Sequence, residues 1–544
     1  MKSKCLLLLF IYLFFTSCRD TKFELDDILT SSNTLRSCFI ENNGVQKYTY
    51  ANTAPPSKYY SATVDGVAHY VYPVPCKGKK IWNTQKLNQQ FNPEILSFGI
   101  EQHASVTIKI TPKDNTKFTS NNYTVRPKIN GHPMNPVRYS TYVKEGSLFI
   151  TLKGPQILSI EKGEMISASS LRNPLLIFAN NIESAKDKKS YTYYYEEGKI
   201  HQIGNKELVS GQKVYIAPGA IVEGTFIAQN ASGVSIEGRG ILSGENTRLL
   251  NNTQVYPALI QYKNTTNSTI SGITLVNSKN WTMPLFGCKN ITINGVRVVS
   301  ETGYEDGLDI VGCQNIFVRN SFIWSKDDCI AIKAGANYID FTKNRLTGQG
   351  DVRNIKVENC ILWNGAQGNA LEIGCELNTA GVGNIKYSNI DILHAQCPIQ
   401  VDEGVLSINN NGKAQIFDVY YNDINIEDMQ RYFINIKIER SVYSPGGREY
   451  NIDDDTLYIP GTVWNINYNN IYLTRETNDS VHSAMMCKAY VPNNPNSGSM
   501  GNINFSNIYI NGFKKIYTTN FNERFCKNSF VLCLENVYPK PTHK

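Results

Sequence analysis

Three aspartates, set roughly one short repeat apart, carry the chemistry that this chain offers. Asp306 opens the phrase Asp306-Gly307-Leu308-Asp309-Ile310. Asp327 precedes a second phrase, Asp328-Cys329-Ile330-Ala331-Ile332, which begins 22 positions after the first. Each phrase then alternates apolar and polar residues, the period of a strand with one buried face. Like charges oppose each other's ionisation, so three carboxylates gathered in one patch are costly. Carboxylates held apart in protonation are what general acid and base steps need. An aspartate capping a turn is ordinary in a repeat protein; three stacked beside an aromatic are not.

Bringing these residues together requires a chain that coils once per ~22–25 residues, with neighbouring strands ~4.8 Å apart. The flanking sequence supplies that coil. STISGITLVNS at Ser268 is followed by NITINGVRVVS at Asn290, NIFVRNSFIWS at Asn315, NIKVENCILWN at Asn354 and NIKYSNIDILH at Asn384, then DVYYNDINIED at Asp418, NINYNNIYLTR at Asn465 and NINFSNIYING at Asn502. The phrase Asn-Ile-x-apolar-x-Asn-x-x-Ile returns every 22 to 47 residues. Self-similarity at this period marks a solenoid. The units are short and β-branched with no amphipathic helix between them, which predicts an all-β, right-handed parallel β-helix over 190–540. Ile and Val would fill its interior, while Asn and Gly take the left-handed turns. Ahead of it, residues 30–185 read as a small β-sandwich, an accessory domain: YYSATVDGVAHYVYPV, SVTIKITP and SLFITLKGPQILSIE alternate at the strand period between Gly, Pro and Asn.

Composition narrows the function. The 544 residues are 41% hydrophobic and 19% charged, as in a folded protein, and the net charge of +7 is modest for that length. No basic run or nucleic-acid motif is present, so no nucleic-acid partner is expected. With 7 His and no Cys-x-x-Cys, neither a metal nor another cofactor is expected. Cys288 and Cys313 occupy matching places in FGCKNITI and VGCQNIFV and should stack in successive coils. Cys38 with Cys76, or Cys526 with Cys533, are spaced for bridges in an oxidising compartment. Residues 1–17 read as a signal peptide: Lys2 and Lys4, the apolar run LLLLFIYLFF, then Thr16-Ser17-Cys18. Cys18 sits as in a bacterial lipobox, with 18–29 as linker. This predicts an exported monomer held on a bacterial membrane only by a lipid on Cys18.

The succession NSKNWTMPLFGCKNITINGVRV, YEDGLDI and SKDDCIAIKAG resembles glycoside hydrolase family 28, the polygalacturonase group. The likeness is closest over 277–375, and the coil pattern follows more loosely from Gln212 onward. The sandwich ahead of the helix is similar to that of family 49 dextranases. The resemblance implies a polysaccharide substrate and gives Asp327 the role of general acid. Asp306 and Asp328 would hold and deprotonate the attacking water, with inversion at the anomeric carbon. Crowding by its neighbours would keep Asp327 protonated to higher pH.

The chain departs from the family pattern in three places. Tyr304-Glu305 replaces Asn-Thr before Asp306. Asn369, in Gly368-Asn369-Ala370, stands where the family has a histidine. The Arg-x-Lys clamp has Lys437 and Arg440 as its nearest counterparts. Asp309, Lys333, Asn369, Glu376 and Lys437 are the expected substrate-binding residues. Asp309 should face outward into the cleft, and Lys333 would by default be solvated. Lys326, Trp281 and Trp324 are further groove candidates, although a Trp inside a coil turn more often packs than stacks on sugar. An α-glucan hydrolase, a polysaccharide lyase using Arg319 as base, and a non-catalytic glycan binder are the alternatives.

Overall fold

The computed structural model describes residues 44–74, 92–128, 138–162, 173–245, 258–300, 305–334, 337–339, 345–347, 350–365, 367–377, 381–395, 404–429, 432–438, 461–474, 485–489, 499–511, 517–519, 532–538 and 542–543. The signal segment, Cys18, Cys38, Cys76, Tyr304, Arg440 and Cys526 lie outside the described residues, as does the side chain of Cys533. Among the described residues no helix is long and apolar enough to cross a membrane.

Two sheets of six and five strands form the N-terminal unit. Their inner faces share one core: Leu96, Phe98 and Ile177 come from one sheet, Val64, Ile108 and Ile150 from the other. The strand Leu175–Asn181 pairs parallel with Glu94–Ile100 in the middle of the six-stranded sheet. Both are buried along nearly their whole length, and this explains why their sequences read as apolar runs. Leu175 and Ile177 point into the sandwich. Leu176 and Phe178, on the opposite face, pack with Val276, Val299, Trp324 and Trp363 of the following unit.

That unit is a right-handed parallel β-helix whose 28 strands among the described residues, Tyr193–Tyr195 to Thr542–His543, pair in parallel with those of the next coil. Its interior is a set of ladders. Ile270, Ile293, Val318 and Val357 stack in register, and the same column continues as Tyr387, Tyr421, Tyr468 and Phe505. The rings of these last four are stacked 4.7–5.0 Å apart, at the strand spacing itself. Each fully buried side chain of this kind stabilises by about 1.5–3 kcal/mol.

The asparagines of the repeat turn the coil. Asn290, Asn315, Asn354 and Asn384 all have φ between 56° and 59°, a region that Asn tolerates and β-branched residues do not. Their amides form a surface chain, each Nδ2 donating to the Oδ1 of the preceding coil at 2.6 to 2.9 Å. Cys288 and Cys313 are stacked as expected, the Cys288 backbone N–H donating to Cys313 Sγ at 3.2 Å, and both are free thiols.

Candidate active site

The strand Leu308–Val311 pairs in parallel with Ile330–Ala334, Leu308 opposite Ile330 and Asp309 opposite Ala331. No insertion interrupts this coil, so the register runs back to the preceding turn: the Gly307 N–H donates to the Asp328 carbonyl at 2.8 Å. Asp306 therefore lies beside Asp328. One oxygen from each of Asp306, Asp327 and Asp328 falls within 4.8 Å of the others. Asp306 and Asp328 are 3% and 5% exposed, whereas Asp327 is only partly buried and is the carboxylate that reaches the surface.

The third coil closes the site. Residues 367–370 are fixed by backbone bonds from Gln367 to Lys326 (2.8 Å) and from Cys329 to Asn369 (2.9 Å). Asn369 donates twice to Asp328 Oδ1, from its backbone N–H at 2.6 Å and from Nδ2 at 3.0 Å. Its Oδ1 accepts the Gly404 N–H of the fourth coil at 2.7 Å. A donor to a carboxylate and an acceptor from an N–H fix which way the amide points. Gly368 has φ +66°, and a β-carbon there would overlap Asp327 Oδ1 and the Asp328 amide. Glycine is the residue that lets this turn press on both carboxylates.

Burial pushes the Asp328 carboxyl well above the usual carboxylate range. Asp306, Asp327 and Glu372 add to the rise and Lys333 opposes it. Asp328 is the more buried of the two adjacent aspartates. Burial also raises Asp309 strongly, against the pull of Lys333.

Several sequence expectations need correction here. Lys333 is 3% exposed rather than solvated. Its ammonium bonds Asp306 Oδ2 at 2.7 Å and Asp309 Oδ1 at 2.9 Å, lies 3.5 Å from Glu376 Oε2, and sits 3.8 Å above the Trp281 ring. Asp309 does point away from the coil interior, but it is fully buried under this cluster and does not open into a cleft. Trp324 is fully buried and stacks on Trp363 with ring centroids 4.1 Å apart, so it packs against the sandwich. Lys326 is likewise buried. Arg319 lies on the strand Gln314–Arg319, its guanidinium 5.0 Å from the Phe317 ring, so it is not placed as a base at the carboxylates. Lys437 is buried on the strand Tyr432–Ile438, beside Asn409, which itself pairs with Gly374. The clamp around Lys333 escaped the sequence reading. Its only trace there was Asp309 and Lys333 on the outward face of consecutive strands.

Fold and carboxylate cluster together make this a parallel β-helix with an acidic site at its surface. Residues 204–444, which include all three aspartates, match the family model described as glycosyl hydrolases family 28, so this β-helix is polygalacturonase-like. Exopolygalacturonase B of Aspergillus niger is 26% identical over 286 residues, 46% of this chain and 63% of that protein. The exopolygalacturonase of Zea mays is 26% identical over 220 residues, 36% of this chain and 52% of its own length. The chain thus spans less than two thirds of the curated relatives it matches. Among solved structures, Dex49A from Penicillium minioluteum superposes over 93% of this chain and 99% of its own, with a TM-score of 0.54 at 14% identity. That likeness is one of fold, and it extends across the sandwich as well as the helix.

Proposed function

We propose that this protein is an exported glycoside hydrolase that cleaves a pectic polysaccharide with inversion at the anomeric carbon. The observation that carries the reading is the Asp306–Asp327–Asp328 cluster, assembled by coil register with one member at the surface. Asp327, the accessible carboxyl, protonates the departing glycosidic oxygen. Asp306 and Asp328, deeper and tied to Lys333 and Asn369, hold a water and take its proton. Inverting sites have carboxyls ~6.5–9.5 Å apart and retaining sites ~5–5.5 Å; the nearest oxygens of this trio lie within 4.8 Å of one another, so inversion rests on the family resemblance and not on this spacing. The anomer first released, read by NMR, distinguishes the two.

Reducing-end release from polygalacturonate and from α-glucans, with Asp327→Asn as control, tests the reaction. General acid catalysis is worth ~10²–10⁴-fold, so a loss below about tenfold in that variant overturns the role of Asp327. A neutral α-glucan is the second reading. It is favoured because Lys333, a cation beside the carboxylates, is already bonded within the protein. Lipidation of Cys18 completes the proposal. If Cys18→Ala leaves the protein in the membrane fraction, the anchor is wrong.

A further inference from the structure

The strand Ile330–Ala334 keeps register with Leu371–Leu377 as far as Ile332 opposite Ile373, and resumes it with Ala334 opposite Leu377. Lys333 therefore stands opposite three residues, Gly374, Cys375 and Glu376. Gly374 has φ +143° and Cys375 +58°, and left-handed backbone is unfavourable at a residue that carries a side chain. A bulge of this kind re-aims a side chain. Here it brings Glu376 Oε2 to 3.5 Å from the Lys333 ammonium.

The ammonium is closed in. The side chains of Lys333 and Asp306 are each 4% exposed, that of Asp309 is fully buried, and the Trp281 ring lies 3.8 Å away. A substrate group has no open approach to Lys333, so its charge acts on the carboxylates around it. Asp306 and Asp309 are bonded at 2.7 and 2.9 Å. Asp328 in turn feels Asp306, Asp327 and Glu372 as repelling charges and Lys333 as the opposing one. The Cys375 thiol, raised by burial, lies in the same field.

We propose that Lys333 is a positioning residue for the water-holding pair: its ammonium fixes the Asp306 carboxylate beside Asp328 and supplies the positive charge that this crowded cluster shares. The bulge at residues 374–376 closes the clamp with Glu376. The inference rests on the hydrolase reading given above and replaces the expectation that Lys333 binds substrate.

The test is the pH dependence of kcat and KM for the full chain carrying Lys333→Met, with Asp327→Asn run beside it. Loss of an opposite charge at this range raises carboxylate values, so the acid limb of kcat/KM should rise by about one unit or more. Misplacing a reacting group by ~1 Å costs up to ~10²-fold, so kcat should fall about tenfold or more while KM stays nearly unchanged. A rise in KM alone would make Lys333 a substrate contact and overturn the proposal. A fall in kcat with an unmoved acid limb would reduce it to support of the fold and overturn it equally. Removing one partner of a buried ion pair is destabilising, so Glu376→Gln, at the most exposed end of the clamp, is the second variant. It frees the ammonium of a competitor and removes a repelling charge, so the limb should move down; a limb unmoved or raised would count against the proposal. Thermal melts give a readout that needs no turnover. The gap between wild type and Lys333→Met should be widest near neutral pH and narrow as pH falls through the carboxylate range, where protonated partners no longer need a counter-charge. A gap constant with pH would overturn the proposal. Turnover that survives Asp327→Asn sinks the catalytic reading and leaves the melts to judge Lys333.

Discussion

Asn369 shows how a single side chain tunes a site built from repeats. It occupies the position where the related family pattern has a histidine, and it braces Asp328 against the next coil. A hydrogen bond to a carboxylate favours the charged form, and Asp328 is already pushed upward by burial and by its acidic neighbours. A base must be ionised to take a proton, so activity falls on the acid side as pH drops through the Asp328 value. Asn369→Ala removes one of two donors and raises that value further. With ~1.5–3 kcal/mol for a hydrogen bond to a charge and 1.36 kcal/mol per unit, the acid limb of kcat/KM should move up by about one to two units. A pH profile of the variant decides it, and an unmoved acid limb would count against Asp328 as base. The stacking of Asp306 on Asp328 was legible in the sequence because their coil is 22 residues long without insertion, leaving register as the only variable. The fate of Lys333 was not. Its partners arrive diagonally from three coils, and the covering Trp281 lies 52 positions earlier in the chain.

At the scale of the coil, the asparagine chain couples turn geometry to stacking. Asn315 adopts φ 56°, donates to Asn290 at 2.8 Å and accepts from Asn354 at 2.9 Å. Asn315→Ala loses both bonds and also strains the backbone, because left-handed φ costs a non-glycine residue ~1–2 kcal/mol. Asn315→Gly loses the bonds without the strain. Thermal unfolding should therefore place alanine below glycine by about 1 kcal/mol, and the reverse order would show that left-handed backbone strain does not set the stability of this turn. The repeat phrase made these turns readable, since Asn recurs at fixed offsets from Ile. The change from aliphatic to aromatic filling after Val357 was also written there, in NIKYSNIDI and NINYNNIYL. What sequence alone withheld was loop placement between coils, where spacing grows to 47 residues and periodicity stops constraining the path.

The whole molecule is joined by a buried network that no local pattern announces. Arg126 of the sandwich bonds Glu161 at 3.1 Å and Glu427 of the helix at 2.7 Å. His394, under Trp363, bridges Glu161 at 3.0 Å and Asp428 at 2.9 Å. These partners lie up to 301 positions apart and belong to two units, which puts them beyond any periodicity argument. Burial alone would lower the His394 value, but the Glu161 and Asp428 contacts outweigh it and hold the imidazole above its ordinary 6.5. A raised histidine contributes stability that is fully present below 6.5 and lost as pH climbs through the raised value. Glu161 is held below 4.5, so its share is lost only on strong acidification. Thermal melts from pH 6 to 9 should show the wild type losing stability toward the alkaline end, and His394→Gln should flatten that slope. A slope unaltered by the substitution would place the titration elsewhere.

The acidic trio draws its members and supports from consecutive windings rather than from one loop, and this has a mechanical consequence. Tension applied along the solenoid axis separates neighbouring windings and pulls Asp306 from Asp328, and Asp328 from Asn369. Tension across the axis leaves those spacings alone. A molecule tethered at its two ends should lose turnover under load while its windings are still folded, making hydrolysis a gauge of axial stretch.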